Sequence, residues 1–143
     1  MTMFRILLVE DNEGDVEIVQ SALEDWRDGC KLTVAYNGAD ALECLRTGPC
    51  AQQKPDLILL DINMPGMDGK ECLKRLKDDE ALSSIPVSML TSSQAPSDII
   101  ECYRSHASCY VVKPFDAREY ISVVRKLVVF WSDVARPPTR ASW

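Results

Sequence analysis

Five short apolar runs, each followed by a stretch with helical periodicity, restrict the fold of this chain more than any other feature. The runs are rich in Val, Ile and Leu, which is typical of strands that are covered on both faces within a parallel sheet. The predicted strands span residues 5–10, 32–36, 56–61, 87–91 and 109–113. Strands that alternate with helices predict one α/β domain built around a doubly wound, five-stranded parallel sheet.

Apolar residues at helical spacing mark the segments after these strands. Asp116 is the predicted N-cap of the last helix, because a carboxylate there can accept a hydrogen bond from the first turn. We expect the domain to span residues 4–129, and residues 130–143 to form a C-terminal extension that serves as an interaction tail. The predicted stripes consist of Val16, Val19, Leu23 and Trp26; Ala41, Leu42 and Leu45; Leu73 and Leu76; Ile99, Ile100 and Tyr103; and Tyr120, Val124, Leu127 and Trp131.

Composition excludes several classes of function. Lys and Arg number 16 against 22 Asp and Glu, a net charge of −6, which argues against nucleic acid or an anionic membrane as the main partner. No apolar run is long enough to span a membrane, and residues 1–15 contain no signal-peptide core, so we expect a cytoplasmic protein. The six cysteines form no CxxC pair and the chain has one histidine, so a zinc site is not expected.

Polar residues end four of the five predicted strands. The first strand ends in Glu10 and is followed by Asp11, the third ends in Asp61, the fourth in Thr91 and the fifth in Lys113. In an open parallel sheet, ligands bind outside the carboxyl ends of the strands. These side chains are therefore predicted to converge at one edge of the sheet.

Each of these residue types has a chemical task at such an edge. Three neighbouring carboxylates repel one another unless one is protonated or a cation joins them, and oxygen ligands without histidine or thiolate suit Mg²⁺. Lys113 and Thr91 can then bind an anion, and phosphate is the natural anion beside Mg²⁺. Asp61 can act as a carboxylate nucleophile that becomes an aspartyl phosphate. The loop with Pro65, Gly66 and Gly69 behind it gives a reactant access to the backbone.

This order of Glu10-Asp11, Asp61, Thr91 and Lys113-Pro114 on strand ends resembles the receiver domain of bacterial two-component response regulators. The resemblance covers almost the whole chain, from residue 4 to about residue 129. It implies the flavodoxin-like (βα)5 fold with strand order 2-1-3-4-5, and Asp61 as the phosphoacceptor. It also implies that Lys113 pairs with the phosphoryl group and that Thr91 hydrogen-bonds it.

The same resemblance implies a metal site and a switch. Asp11 and Asp61 would ligate Mg²⁺ by their side chains, Asn63 by its backbone carbonyl and Glu10 mostly through water, with Mn²⁺ as a possible substitute. Tyr110 matches the aromatic switch position, which turns inward when the threonine moves toward the phosphate. The bond between Lys113 and Pro114 is expected to be cis, since an X-Pro bond can be cis at small cost.

A narrower resemblance concerns the partner. The stretches VEDNEGD, LTSS and SDII, and the FW pair before a proline-containing tail, are similar to single-domain regulators that partner phytochrome-type histidine kinases. Only one helix and a short tail follow Lys113, so we expect a stand-alone regulator that signals by protein–protein contact. It would not be an enzyme, apart from phosphoryl transfer to itself and autodephosphorylation. A kinase of another type remains open as the partner.

Two other classes of function are open alternatives. A haloacid-dehalogenase-like phosphatase also attacks with an aspartate beside Mg²⁺, but it needs a second aspartate two residues later, where this chain has Asn63. A flavodoxin-like cofactor carrier needs a hydroxyl- and glycine-rich phosphate loop after the first strand. The acidic stretch EDNEGD at that place would repel a flavin phosphate.

The last helix predicts an assembly. Ile121, Val123, Val128 and Phe130 flank its stripe, so its apolar face is wider than one face of a sheet requires. We expect a two-fold homodimer through the fourth helix, fifth strand and fifth helix, with the tail reaching across and Tyr103 and Tyr110 on the same surface. The alternative is a helix tucked more deeply under its own tail.

Overall fold

A five-stranded parallel sheet in the order β2-β1-β3-β4-β5 forms the centre of the protein, as the sequence predicts. The structure is a computed structural model in which residues 3–138 are described. The strands are β1 (Phe4–Val9), β2 (Cys30–Ala35), β3 (Leu57–Leu60), β4 (Val87–Thr91) and β5 (Cys109–Val112). The helices are α1 (Glu13–Leu23), α2 (Gly38–Arg46), α3 (Gly69–Asp78), α4 (Pro96–Arg104) and α5 (Ala117–Val129). A 3-10 turn (Glu24–Trp26) follows α1, and a π-helical turn (Phe130–Val134) follows α5.

Two apolar cores cover the two faces of the sheet. Because successive strand residues point to opposite faces, Leu7 and Val9 pack with α2, α3 and the buried Cys102 of α4, whereas Ile6 and Leu8 pack with α1 and α5. All four residues of β3 and all five of β4 are buried. This is the burial that near-continuous apolar runs in a parallel sheet predict.

Four strands, β1, β2, β3 and β5, end one residue earlier than the sequence predicts, and three of them are followed by predicted site residues. Glu10, Asp61 and Lys113 follow the last strand residues Val9, Leu60 and Val112 rather than ending the strands. Their backbone amides nevertheless continue the ladder, with donor–acceptor distances of 2.9 Å from Glu10 to Ala35, 3.1 Å from Asp61 to Val9 and 2.8 Å from Lys113 to Thr91. The sheet therefore fixes the backbone of these residues while their side chains lie at its carboxyl edge.

Side-chain caps begin four of the five helices. Asn12, Asn37, Asp68 and Asp116 each accept a hydrogen bond from the backbone amide three residues later. The predicted cap at Asp116 is confirmed. Helix α4 has no side-chain cap and begins with Pro96, whose fixed backbone angle suits the first turn.

The buried stripes of the last two helices differ from the prediction. In α5 the buried residues are Tyr120, Val124 and Val128, whereas Leu127 is half-buried. A stripe whose residues are always four apart and a stripe whose residues are three or four apart lie on almost the same side of a helix. Packing against α1 and the sheet buries the first of these stripes. In α4 the buried residue is Cys102, and about half of the surface of Ile100 (50%) and Tyr103 (49%) is exposed.

The bond between Lys113 and Pro114 is trans, as are the other peptide bonds in the described residues, so the predicted cis bond is wrong for this structure. The two forms of an X-Pro bond differ by only about 1 kcal/mol, so the dipeptide itself does not determine which one the fold adopts. Among residues 3–138, no helix is both long enough and apolar enough to span a membrane.

Candidate functional site

Three carboxylates meet at the carboxyl ends of two adjacent strands, β1 and β3. Glu10 and Asp11 follow β1 and Asp61 follows β3, and these strands are paired so that Val9 lies opposite Leu60. One carboxylate oxygen from each of the three residues lies within 4.8 Å of the others. Glu10 and Asp61 are buried, whereas Asp11 is exposed, so the cluster is open to solvent on the Asp11 side.

Lys113 lies between the carboxylates. Its Nζ atom is 2.7 Å from Glu10 Oε1, 3.0 Å from Asp15 Oδ2 and 3.2 Å from Asp61 Oδ2, and only 9% of its side chain is exposed. Burial would lower the pKa of Lys113, but the hydrogen bond to Glu10 and the nearby negative charges raise it above its ordinary value. An ammonium group has three N–H donors, and here each has a carboxylate partner.

Glu10 has an unusual protonation equilibrium. Burial raises its pKa to about 7, and the charge of Asp61 acts in the same direction, although the hydrogen bond from Lys113 opposes both. A carboxyl group of this kind binds a proton readily when no cation is near. Its raised pKa thus reports mainly the cost of holding a negative charge in a buried place, a cost that a bound cation would offset.

The donor set fits a hard divalent cation. Glu10, Asp11 and Asp61 offer carboxylate oxygens, the ligands that Mg²⁺ and Mn²⁺ prefer, and none of them is a histidine or a thiolate. Asn63 lies two residues beyond Asp61 in an exposed part of the loop. The role of its carbonyl as a ligand stays a prediction.

Glycine at position 69 is what allows α3 to begin against the backbone of Asp61. A Cβ atom built on Gly69 would overlap the carbonyl oxygen of Asp61. The Gly69 amide donates to the Ile62 carbonyl at 2.8 Å, which closes the loop after the strand. Gly66, within the same loop, has a φ of +73°, in the left-handed region that favours glycine.

Thr91 and Tyr110 are connected through the loop after β4. Thr91 is buried at the end of β4, and its Oγ1 atom accepts a hydrogen bond from the Ser93 amide at 3.4 Å. The half-buried Tyr110 donates its hydroxyl to the Ser93 carbonyl at 2.9 Å. Ser93 also donates through its hydroxyl to Asp98 on α4 at 2.6 Å. Thr91 and Tyr110 thus both contact Ser93, and their role as a switch pair stays a prediction.

The comparisons with known proteins identify the family. The family model of the response regulator receiver domain matches residues 6–125. The response regulator Rcp1 of Synechocystis sp. is 33% identical over 135 residues, which are 93% of this chain and 92% of Rcp1. The chain belongs to the response regulator receiver family.

Solved structures of receiver domains agree with this assignment. The phosphorylated cyanobacterial phytochrome response regulator RcpA matches with a TM-score of 0.91 and 34% identity, over 96% of this chain and 99% of RcpA. The Mn²⁺-bound form of Rcp1 matches with a TM-score of 0.86 and 34% identity, over 94% of this chain and 98% of Rcp1. This receiver is therefore homologous to phytochrome-associated response regulators. The assignment decides against a dehalogenase-like phosphatase and a flavodoxin-like cofactor carrier.

One residue of this receiver's site, Asp15, is missing from the sequence-based prediction. It lies in the first turn of α1, four residues after Asp11, and its carboxylate contacts Lys113. Asp11 precedes the N-cap Asn12 and lies outside the helix, so helical spacing from Asp11 gives no signal for Asp15. The strand-end rule overlooks Asp15 because it considers only residues that directly follow a strand.

Proposed function

We propose that this protein is a response regulator that accepts a phosphoryl group on Asp61 from a histidine kinase. The observation that carries the proposal is that Asp61 belongs to both parts of the site: its carboxylate is a member of the acidic cluster and also contacts Lys113. A nucleophile for phosphoryl transfer needs positive charge on both sides of the group that it receives. Mg²⁺ is the proposed cation, held by Glu10, Asp11, Asp61 and the Asn63 carbonyl, with Mn²⁺ as a substitute.

The proposed reaction is a single transfer. An Asp61 carboxylate oxygen attacks the phosphorus of a phosphohistidine, an oxygen–phosphorus bond forms, the nitrogen–phosphorus bond breaks, and the histidine nitrogen keeps the electron pair. The bound cation would neutralise charge on the transferred group. Lys113 pairs with the phosphoryl oxygens, and the Thr91 hydroxyl donates a hydrogen bond to them. When Thr91 moves toward the phosphoryl group, Tyr110 turns inward, and the surface around Tyr110 changes.

Phosphorylation from a small-molecule donor tests this assignment. Acetyl phosphate with Mg²⁺ is expected to add one phosphoryl group, detected by intact mass, and Asp61→Asn or a chelator is expected to abolish it. Asp78→Asn is the control, because it removes the same charge at an exposed residue at the end of α3. This variant should be phosphorylated normally. Phosphorylation of Asp61→Asn at the native rate would refute the assignment of the phosphoacceptor.

A phytochrome-type histidine kinase is the proposed partner, which would place the protein in the cytoplasm. The proposal is supported by the similarity to RcpA and to the bacteriophytochrome response regulator RtBRR, which is 36% identical over 99% of this chain and 87% of RtBRR, with a TM-score of 0.71. The kinase, ATP and Mg²⁺ should transfer labelled phosphate to Asp61 within minutes. Transfer from a non-phytochrome kinase, but not from the phytochrome kinase, would identify the other partner class.

We also propose that the signal leaves by protein–protein contact, with a homodimer through α4, β5 and α5 and no nucleic-acid partner. Several large apolar side chains on and beyond these helices are exposed, which supports a contact surface there. They are Ile100, Tyr103, Phe130 and Val134. Residues 130–143 are the proposed interaction tail, of which residues 139–143 lie outside the described residues.

Light scattering on the whole chain tests the dimer. We expect a dimer at micromolar concentration and a weaker one for Ile100→Asp combined with Tyr103→Asp. Glu43→Lys, on the exposed side of α2, is a control far from the proposed surface. A protein that stays monomeric at high micromolar concentration, with and without phosphorylation, would rule the dimer out.

A further inference from the structure

The three partners of Lys113 are not equivalent. Glu10 and Asp61 are members of the acidic cluster, whereas Asp15 is not, although its Oδ2 atom lies 3.0 Å from Lys113 Nζ, between the distances of Glu10 (2.7 Å) and Asp61 (3.2 Å). Asp15 comes from α1, so it approaches the ammonium from a different element than the two cluster residues. A cation held by the cluster would therefore engage two of the three carboxylates and leave the third.

This difference matters once a divalent cation is bound. A bound cation would attract the carboxylates of Glu10 and Asp61. It would also repel the ammonium of Lys113, because charges of like sign a few ångströms apart interact strongly in a site that is mostly buried. Among the described residues, Asp15 is then the carboxylate that still holds Lys113 without competing for the cation. Without it, we expect the ammonium to leave the site as the cation binds.

The surroundings of Asp15 suit such a role. Its backbone amide donates to the Asn12 side chain at 2.9 Å, which fixes the first turn of α1, and only 22% of its side chain is exposed. The hydroxyl of Tyr120, on α5, is buried and has no hydrogen-bond partner within residues 3–138. Burial raises the pKa of that phenol, and the nearby Asp15 carboxylate acts in the same direction. A second donor is thus available to keep Asp15 in place when Lys113 turns toward a phosphoryl group.

We propose that Asp15 is a positioning residue that retains Lys113 at the site after the divalent cation has bound, so that the ammonium is present when the phosphoryl group arrives. The proposal rests on the proposed function, since it assumes that the cluster binds a cation and that Asp61 accepts phosphate. Asp15 itself does not contact the transferred group; it acts through Lys113.

The first experiment measures the accessibility of Lys113 and does not depend on phosphorylation. The native protein is treated briefly with an amine-acetylating ester, and acetylation of Lys113 is measured by mass spectrometry, with EDTA and with Mg²⁺ at a concentration that calorimetry shows to be saturating. We expect Lys113 to be protected in both conditions in the wild type. In Asp15→Asn, Mg²⁺ should accelerate its acetylation about tenfold.

Glu13→Gln is the matched control, because Glu13 is also an acidic residue in the first turn of α1 but is exposed. It removes the same charge from the helix terminus and should behave like the wild type. The proposal is overturned if Lys113 stays equally protected in Asp15→Asn at saturating Mg²⁺. It is also overturned if the loss of protection is the same with EDTA, because Asp15 would then be an ordinary counter-ion.

The second experiment measures the phosphorylation rate from acetyl phosphate at saturating Mg²⁺. Asp15→Asn is expected to lower the maximal rate about tenfold, and Asp15→Glu to restore most of it. In a Lys113→Ala background, Asp15→Asn should cause no further loss, since its effect passes through the ammonium. An equal loss in both backgrounds overturns the proposal. A wild type that takes up no phosphoryl group contradicts the proposed function instead, and the acetylation experiment still decides the role of Asp15.

Discussion

The raised pKa of Glu10 predicts that cation binding depends on pH in a range where most carboxylates show no change. Burial raises this pKa to about 7, and a divalent cation requires the ionised carboxylate. With that pKa, about nine-tenths of Glu10 is ionised at pH 8 and about one-tenth at pH 6. The affinity for Mg²⁺ or Mn²⁺ should therefore fall about tenfold between pH 8 and pH 6, and binding at pH 6 should release about one proton.

Isothermal titration calorimetry in buffers of different ionisation enthalpy measures both the affinity and the proton release. Glu10→Gln is the control, because an amide does not titrate: its affinity should be lower at pH 8 but nearly constant over the same range. A wild-type affinity that is the same at pH 6 and pH 8, with no proton released, would refute the reasoning. The cost inferred for ionising Glu10 in its buried place would then be wrong as well.

The same pKa has a consequence for stability. A carboxyl group whose pKa is higher in the folded protein than in the unfolded chain stabilises the fold at low pH. This contribution is complete below the ordinary value of 4.5 and is lost as the pH rises through about 7. In EDTA, the Tm of the wild type relative to that of Glu10→Gln should therefore fall between pH 5 and pH 8. Mg²⁺ should raise the Tm more at pH 8 than at pH 6.

Three further predictions concern the backbone and the thiols. Gly69→Ala should prevent phosphorylation and lower the free energy of unfolding by about 3 kcal/mol or more, because the new methyl group overlaps the Asp61 carbonyl. Denaturant unfolding measures the stability and a phosphorylation assay measures the activity. An active and stable variant would contradict the packing. His106→Gly should stabilise the protein by about 1 kcal/mol, since His106 has a φ of +73° just after α4, and unchanged thermal unfolding would contradict this. Cys50 and Cys72 are buried, and burial raises the pKa of both thiols to about 12. Iodoacetamide at pH 7.5 should therefore modify these two cysteines in urea but not in the native protein. Peptide mass mapping measures the modification.

The sheet and its carboxyl edge could be predicted because their sequence signal is local. A short apolar run such as residues 57–60, beside longer helical segments, predicts a buried strand, and every side chain in it is buried. The residue after such a strand must lie at the edge, so Glu10, Asp61 and Lys113 could be brought together from their positions alone. Their mutual contacts confirm that part of the prediction.

The parts that could not be predicted depend on rotations that the sequence does not determine. Asp15 contacts Lys113 because the fold brings the first turn of α1 within hydrogen-bond distance of the ammonium, and the pairing joins residues 98 positions apart. The isomer of the Lys113–Pro114 bond is a choice between states of similar energy. In both cases the local pattern allows two outcomes, and tertiary packing selects one.

The last helix shows how such a selection changes a functional expectation. The width of its apolar face leads to the expectation of a dimer through the fourth helix, fifth strand and fifth helix, with the last helix supplying the excess apolar surface. Because Val128 takes the buried position, Leu127 and Trp131 lie at the margin of the core and are already half-buried against it. The exposed apolar surface of this region lies on Ile100 and Tyr103 of α4, on Val129 at the end of α5, and on Phe130 and Val134 beyond it. Substitutions in α4 should therefore weaken a dimer more than substitution of Leu127, and a dimer that depends on Leu127 but not on Ile100 would place the contact elsewhere.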